Sequence, residues 1–264
     1  MFSFQSAWAI TLRHLRLWKN DPNVPLFNIY WPILDILTWG FLGMWIQQLQ
    51  STPSGNLTAI TIAGLLLFQV CSRGCNGLCF ALIEEIWSDN IVNLFSLPIS
   101  MAEWICGTIM LAAINMVLVT TACMGLTFLL YNVPVWQTIT TFLWFAPPLF
   151  LATLWLGFTS CAIIITLGKR GVEMAFVFAW FFLPFCGAYF PIDVLPAWGQ
   201  TISSFLPMSP VFSGLRAYLG HNQDPTPFLI KGYLIGGIYA LAGIALFVYC
   251  FNRSKKMGLA RLTD

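Results

Sequence analysis

Apolar runs of about twenty residues recur along this chain, and no other feature restricts its possible folds so strongly. A helix crosses the hydrocarbon core of a bilayer with roughly 20 apolar residues, and inside lipid the backbone must satisfy its own hydrogen bonds. Six runs qualify: Leu26 to Ile46, Leu57 to Leu82, Ile105 to Tyr131, Phe142 to Leu167, Val172 to Phe190 and Phe228 to Phe251. Composition agrees, since 58% of the residues are hydrophobic and 8% charged, against about a quarter charged in a soluble domain. The expectation is an all-α integral membrane protein with six transmembrane helices, residues 1–264 forming one membrane domain.

The few charges are placed unevenly. Arg13, Arg16 and Lys19 precede the first run, Lys169 and Arg170 separate the fourth from the fifth, and Arg253, Lys255, Lys256 and Arg261 lie in the basic tail, residues 252–264. Six crossings put all three groups on one side, and the excess of Lys and Arg in cytoplasmic segments makes both termini cytoplasmic. Two loops of the other side, Gln47–Asn56 and Asn132–Thr141, carry no charge; Arg216 and Lys231 near that side, and Arg73 within a run, are the exceptions. The net charge of +2 says little about partners and gives no ground for nucleic acid.

Residues 1–24 do not read as a cleavable signal, because Arg13, His14 and Arg16 interrupt any long apolar core. Phe4, Trp8, Leu12, Leu15 and Trp18 instead recur at helical spacing, with Gln5, Arg13, Arg16 and Asn20 opposite. That pattern predicts an amphipathic helix lying along the inner lipid surface, broken by Pro22 and Pro25 before the first span.

Residues 84–100, EEIWSDNIVNLFSLPIS, form a polar interruption between the second and third runs. Ile83, Ile86, Trp87, Ile91, Leu94 and Leu97 repeat every three to four residues, with Glu84, Glu85, Ser88, Asp89, Asn93 and Ser96 on the other side. The spacing predicts an amphipathic helix over residues 83–98, ended by Pro98. Interfacial helices favour Lys and Arg toward anionic headgroups, whereas this stretch has three acids and no base. Two readings stay open: a docking helix for a protein partner, and a connecting helix with a solvated polar face.

Nothing in the chain reads as an enzyme. It has no Gly-rich phosphate loop followed by Lys and Ser or Thr, no HExxH pair and no GxSxG turn. Its two histidines, His14 and His221, are far apart. Cys71, Cys75 and Cys79 fall on one side of the second run, as a soft-metal ladder or, with Ser72, Gly74 and Gly77, as small residues admitting a neighbouring helix. The other five cysteines are scattered and offer no disulfide framework.

Asp35 and Arg73 lie inside apolar runs, where an unpaired charge is costly. Each is about nine residues from the inner end of its run, so at 1.5 Å per residue both lie roughly 13 Å deep. An ion pair between adjacent helices is expected, either structural or part of a polar substrate path.

On the outer side, Val194, Leu195, Trp198, Ile202 and Phe205 form an apolar stripe opposite Gln200, Thr201, Ser203 and Ser204. Pro196 suits the first turn of this helix, and Ser209 with Pro210 the cap and first turn of a second one ending near Leu219. Residues 191–219 then read as a re-entrant helical hairpin or as an interfacial loop anchored by Trp198. Aromatic residues make up 16% of the chain. Most suit membrane-interface belts, while Trp31, Trp39, Trp180, Phe185 and Tyr189 are candidates for a substrate path, with a kink expected at Pro184.

Three regions together resemble one family. Glu84 and Glu85 with the amphipathic segment, then Leu97-Pro98-Ile99-Ser100 and Glu103, resemble the loop after the second span of ATP-binding-cassette exporter permeases of the second permease type, ABC-2. Phe190-Pro191-Ile192, Leu195-Pro196-Ala197-Trp198 and Leu206-Pro207-Met208-Ser209-Pro210 with Arg216 are similar to that family's segment between spans five and six, and Arg253-Ser254-Lys255-Lys256-Met257-Gly258 to its basic tail. One departure is Trp87-Ser88-Asp89-Asn90, where many members carry a basic residue and a Gly-Thr pair.

The resemblance implies a membrane subunit with no cofactor of its own, which pairs with a second copy and binds two copies of an ATPase that holds ATP and magnesium. Glu84, Glu85, Trp87, Asp89, Asn90, Asn93 and Leu94 would belong to the element coupling it to that ATPase, and Pro191, Pro196, Trp198, Pro207 and Arg216 to an outer gate. The cargo implied is amphipathic, a lipid-linked glycan or a drug-like molecule, exported across a bacterial cytoplasmic membrane. The competing classes are a secondary transporter or channel with no ATPase, which would be expected to show repeated halves, and a structural membrane subunit. Pro184 has no counterpart in the first half.

Overall fold

The computed structural model describes residues 2–20, 23–49, 57–131 and 135–262. The break expected at Pro22, and the loops at 50–56 and 132–134, lie outside the described residues. Among the described residues there are ten α-helices, a few short 3-10 turns and no strand. The helices are α1 (Phe4–Asn20), α2 (Asn23–Leu49), α3 (Leu57–Trp87), α4 (Ile91–Ser96), α5 (Met101–Tyr131), α6 (Val135–Leu167), α7 (Gly171–Phe182), α8 (Ala197–Phe205), α9 (Ser209–His221) and α10 (Thr226–Met257).

Five stretches are long and apolar enough to cross a membrane: Asn28–Ile46, Ile60–Trp87, Met101–Tyr131, Thr138–Cys186 and Thr226–Met257. The fourth covers 49 residues and contains the fourth expected run and the fifth as far as Cys186, joined by a 3-10 turn at Gly168–Arg170. The chain reverses there, since Trp155 of α6 meets Phe178 and Phe182 of α7 while Ser160 Oγ donates to the Ala175 carbonyl. No α-helix fills the expected fifth run to Phe190. Pro184 ends α7 rather than kinking it, in a 3-10 turn at Leu183–Cys186 followed by Gly187 at φ +82°, because proline cannot continue the helical ladder and the left-handed backbone suits glycine.

α3 is the axis of the bundle, packed between α2, α5 and α6 and buried along almost its whole length. Its small residues allow this. A Cβ on Gly77 would stand 3.0 Å from the Ala112 Cα of α5. Cys79 Sγ points to the Gly157 carbonyl of α6, and Cys161 Sγ points back to the Leu78 carbonyl. Cys71, Cys75 and Cys79 are all buried within this packing. α10 closes on α6 through Gly236 and Gly243, which face Ala152 and Trp155.

Two structured ends cap the bundle. At one, α1 lies against the start of α5, and the turn at Gly168–Arg170 meets the 3-10 turn Leu259–Leu262 that follows α10. Arg13, Arg16, Lys169, Arg170, Arg253, Lys255 and Lys256 collect here, so we refer to it as the basic end. At the opposite end, α8 and α9 fold back as a hairpin, α9 burying Val211, Phe212 and Leu215. Asp224 leads into α10: the Thr226 hydroxyl and amide both donate to its carboxylate, holding that carboxyl below its usual range.

Candidate functional site

The basic end is organised around the boundary of α3 and α4. α3 stops in a Schellman arrangement, in which Asn90 N donates to the Glu85 carbonyl and Asp89 N to the Ile86 carbonyl. Asp89 occupies the left-handed position at φ +53°, where glycine is the usual residue. The segment expected as one helix over 83–98 is therefore two pieces, the end of α3 and the six-residue α4, with Ser88–Asn90 as the corner. Ser, Asp and Asn side chains compete for backbone bonds and favour such turns.

The acidic residues do not share one open face. Glu85 is 0% exposed and lies 2.7 Å from the Arg13 guanidinium of α1, with a further bond from Asn90 Nδ2 at 2.7 Å. His14 is wedged beside it, its Nδ1 2.9 Å from Glu84 and its Nε2 3.7 Å from Glu85. The expectation that Glu85 stands on the outer polar face is corrected: a carboxylate taken out of water needs charged and hydrogen-bonded partners, and α1 supplies them. Leu94 is likewise buried, anchoring α4 together with Ile91.

α1 is held as closely at its other end. Ser100 and Glu103 form a reciprocal capping box at the start of α5, and the second oxygen of Glu103 accepts from Ser3 N at 2.7 Å. Thr11 Oγ1 donates to the Gly107 carbonyl at 2.9 Å. The protein-facing side of α1 is Ala7, Ile10, Thr11 and His14, which leaves Phe4 and Trp8 of the expected apolar stripe exposed.

What remains open at this corner is a small mixed surface: Trp87 (61% exposed), Ser88, Asp89, Val92, Asn93, Ser96 and Leu97. Asp89 also reaches Lys169 of the α6–α7 turn at 3.4 Å. A family model described as ABC-2 type transporter matches residues 5–219. The chain belongs to the ABC-2 type transporter family. A comparison with curated proteins returned no match. The protein is thus a multi-pass permease component of ABC-type transport, a transmembrane part and not a nucleotide-hydrolysing domain.

Within the bundle of this ABC-2 permease, Asp35 and Arg73 do not pair. Arg73 is buried, with NH1 donating to the Asn28 carbonyl and side chain and NH2 to Ser72 Oγ, while Asp35 accepts from Gln69 Nε2 at 3.4 Å. The expected pair is corrected because the inner ends of α2 and α3 are not level: Arg73, fourteen residues before the end of α3, bonds to Asn28, only five residues after the start of α2. Equal counts from the ends of the two runs therefore do not mean equal depth. Arg73 lies level with Asn28, seven residues or about 10 Å along α2 from Asp35.

The candidate path residues divide. Trp39 of α2 packs on Tyr189 at 5.0 Å, and Phe68 of α3 packs on Tyr189 at 4.8 Å. Phe185 meets Trp198 of α8 at 5.7 Å, while Trp31 and Trp180 are exposed on the bundle surface. Among the gate candidates, Pro191, Pro196 and Trp198 are exposed and Pro207 is buried. Arg216 of α9 donates to the Ala188 carbonyl at 3.2 Å and so holds the turn that carries Tyr189.

The apolar stripe expected here divides: Ile202 packs on the core while Val194, Trp198 and Phe205 are exposed, and of the polar residues opposite it Ser203 is buried beside Gly199 while Gln200, Thr201 and Ser204 are exposed. Ser209 does not cap α9 but is its first residue, and its hydroxyl pairs with Ser203. Burying a small hydrogen-bonded hydroxyl pair there leaves the large apolar groups free to meet lipid.

Proposed function

We propose that this chain is the permease subunit of an ATP-driven exporter in a bacterial cytoplasmic membrane, acting as a homodimer with two copies of a separate ATPase. The basic end faces the cytoplasm and receives the ATPase, which holds ATP and magnesium. The carrying observation is that α3 continues unbroken from the bundle core to the exposed corner at Trp87, where buried Glu85 ties it to Arg13. A push on Trp87, Asp89 and Asn93 therefore moves α3 and α1 together. In this reading Glu84, Glu85, Asn90 and Leu94 brace the corner, and the exposed residues touch the partner.

Six crossings complete the design. α7 with its 3-10 continuation covers Gly171–Cys186, about 26 Å of rise, close to the roughly 30 Å hydrocarbon thickness. The cargo is amphipathic, a lipid-linked glycan or a drug-like molecule, with the Trp39 and Tyr189 rings lining its route and the α8–α9 hairpin closing the outer side.

Proteoliposomes test this reading. The chain reconstituted with its ATPase should move cargo only when ATP is hydrolysed. Equal transport by the chain alone would establish a secondary transporter instead.

A further inference from the structure

A groove of about 710 Å³ runs between α6, α7 and α10, lined by Ala162 and Ile163 of α6, Val177 and Phe181 of α7 and Leu246 of α10, with Glu173 at its basic end. Val177, Phe181 and Leu246 are exposed, so the groove opens on the surface of the bundle. Its volume is that of a site for a molecule of several hundred daltons, about 300–1,000 Å³. From Glu173 to Phe182 it extends over nine residues of helix, about 13 Å, close to one leaflet of a hydrocarbon core roughly 30 Å thick.

Glu173, in the first turn of α7, stands at the mouth of the groove. Exposed Arg170, the last residue of the preceding 3-10 turn, lies three residues before it. Neither side chain has an ion-pair partner among the described residues. A carboxylate at the rim of an apolar groove favours a compact cation, and the guanidinium beside it favours an oxyanion with matching fork geometry. A second copy of this chain could cover the apolar walls, but it would not bring an ammonium and a phosphate separated by a short bridge.

We infer that the groove holds one acyl chain of a bilayer phospholipid with a primary-amine headgroup, its phosphate on Arg170 and its ammonium on Glu173. The lipid belongs to the leaflet on the basic side and fills the α6–α7–α10 seam. This inference needs only the membrane setting and is independent of the ATPase reading.

The test uses the full chain purified in detergent with equimolar dipalmitoyl phosphatidylethanolamine and phosphatidylglycerol, the retained lipid being measured by mass spectrometry. Phosphatidylethanolamine should be retained about two- to fivefold over phosphatidylglycerol, the range one exposed ion pair gives. Glu173→Gln should bring that ratio to unity, and Val177→Trp, which fills the groove from an exposed position, should lower retention of both lipids. Equal retention of the two lipids by the unmodified chain, or an unchanged ratio in E173Q, would overturn the inference. So would V177W that keeps its lipid but changes the oligomeric state, which would assign the groove to a second copy.

Discussion

The Arg13 guanidinium of α1 lies 2.7 Å from the fully buried carboxylate of Glu85, 72 residues away at the end of α3. Arg13 is itself 40% exposed, but removing it leaves a fully buried carboxylate short of its nearest charged partner, at a cost of about 1–3 kcal/mol. Arg13→Ala should therefore lower the thermal midpoint of the purified protein clearly. Adding Glu85→Gln to it should recover part of that loss, because the stranded charge is gone. Strictly additive losses in a double-mutant cycle would show that the pair does not couple α1 to α3.

Gly107 sets how closely α1 approaches α5. A Cβ there would stand 2.7 Å from the Ala7 carbonyl oxygen and 3.0 Å from Ile10 Cβ, too near without moving α1. Gly107→Ala should loosen α1 and speed tryptic cleavage after Arg13 or Arg16. Gly125→Ala, where a Cβ meets nothing within 4 Å, should leave cleavage unchanged and serves as the control.

Asp89 holds a left-handed backbone conformation that costs an ordinary L-residue roughly 1–2 kcal/mol. Asp89→Gly should match or slightly exceed the natural stability, and Asp89→Val should fall below it by at least about 1 kcal/mol. Thermal unfolding of the two variants checks this. Equal stability would mean that the corner between α3 and α4 is not held in this geometry.

Arg73 and Asp35 bond to Asn28 and Gln69 and not to each other. The swapped Asp35→Arg, Arg73→Asp protein should accordingly express no better than the worse single mutant. Asn28→Ala should also weaken the protein, by removing one of the acceptors of a buried guanidinium. Recovery of expression in the swap would restore the direct pair.

Much of this architecture is written in local patterns. The apolar runs locate α2, α3, α5, α6 and α10, and the spacing of Phe4, Trp8 and Leu15 marks α1 as amphipathic. What the patterns miss depends on contacts distant in sequence. Glu85 reads as part of a polar face because its partners, Arg13 and His14, are more than seventy residues earlier. The corner at Ser88-Asp89-Asn90 does carry a signal, three consecutive turn-forming residues, yet the apolar period on either side masks it. Asp35 and Arg73 mislead for another reason: the inner ends of α2 and α3 do not lie level, so equal counts along the two runs do not give equal depth.

The exposed corner of α3 and α4 is the proposed docking site of the ATPase. Its most direct test is the affinity of the purified ATPase for the chain carrying Trp87→Ala, measured in detergent alongside the unmodified chain. A buried aromatic anchor at an interface is worth about 2 kcal/mol or more, so affinity should drop about thirtyfold while the fold and the Arg13–Glu85 clamp persist. Unchanged affinity in Trp87→Ala, and again in Asn93→Lys, would contradict the account.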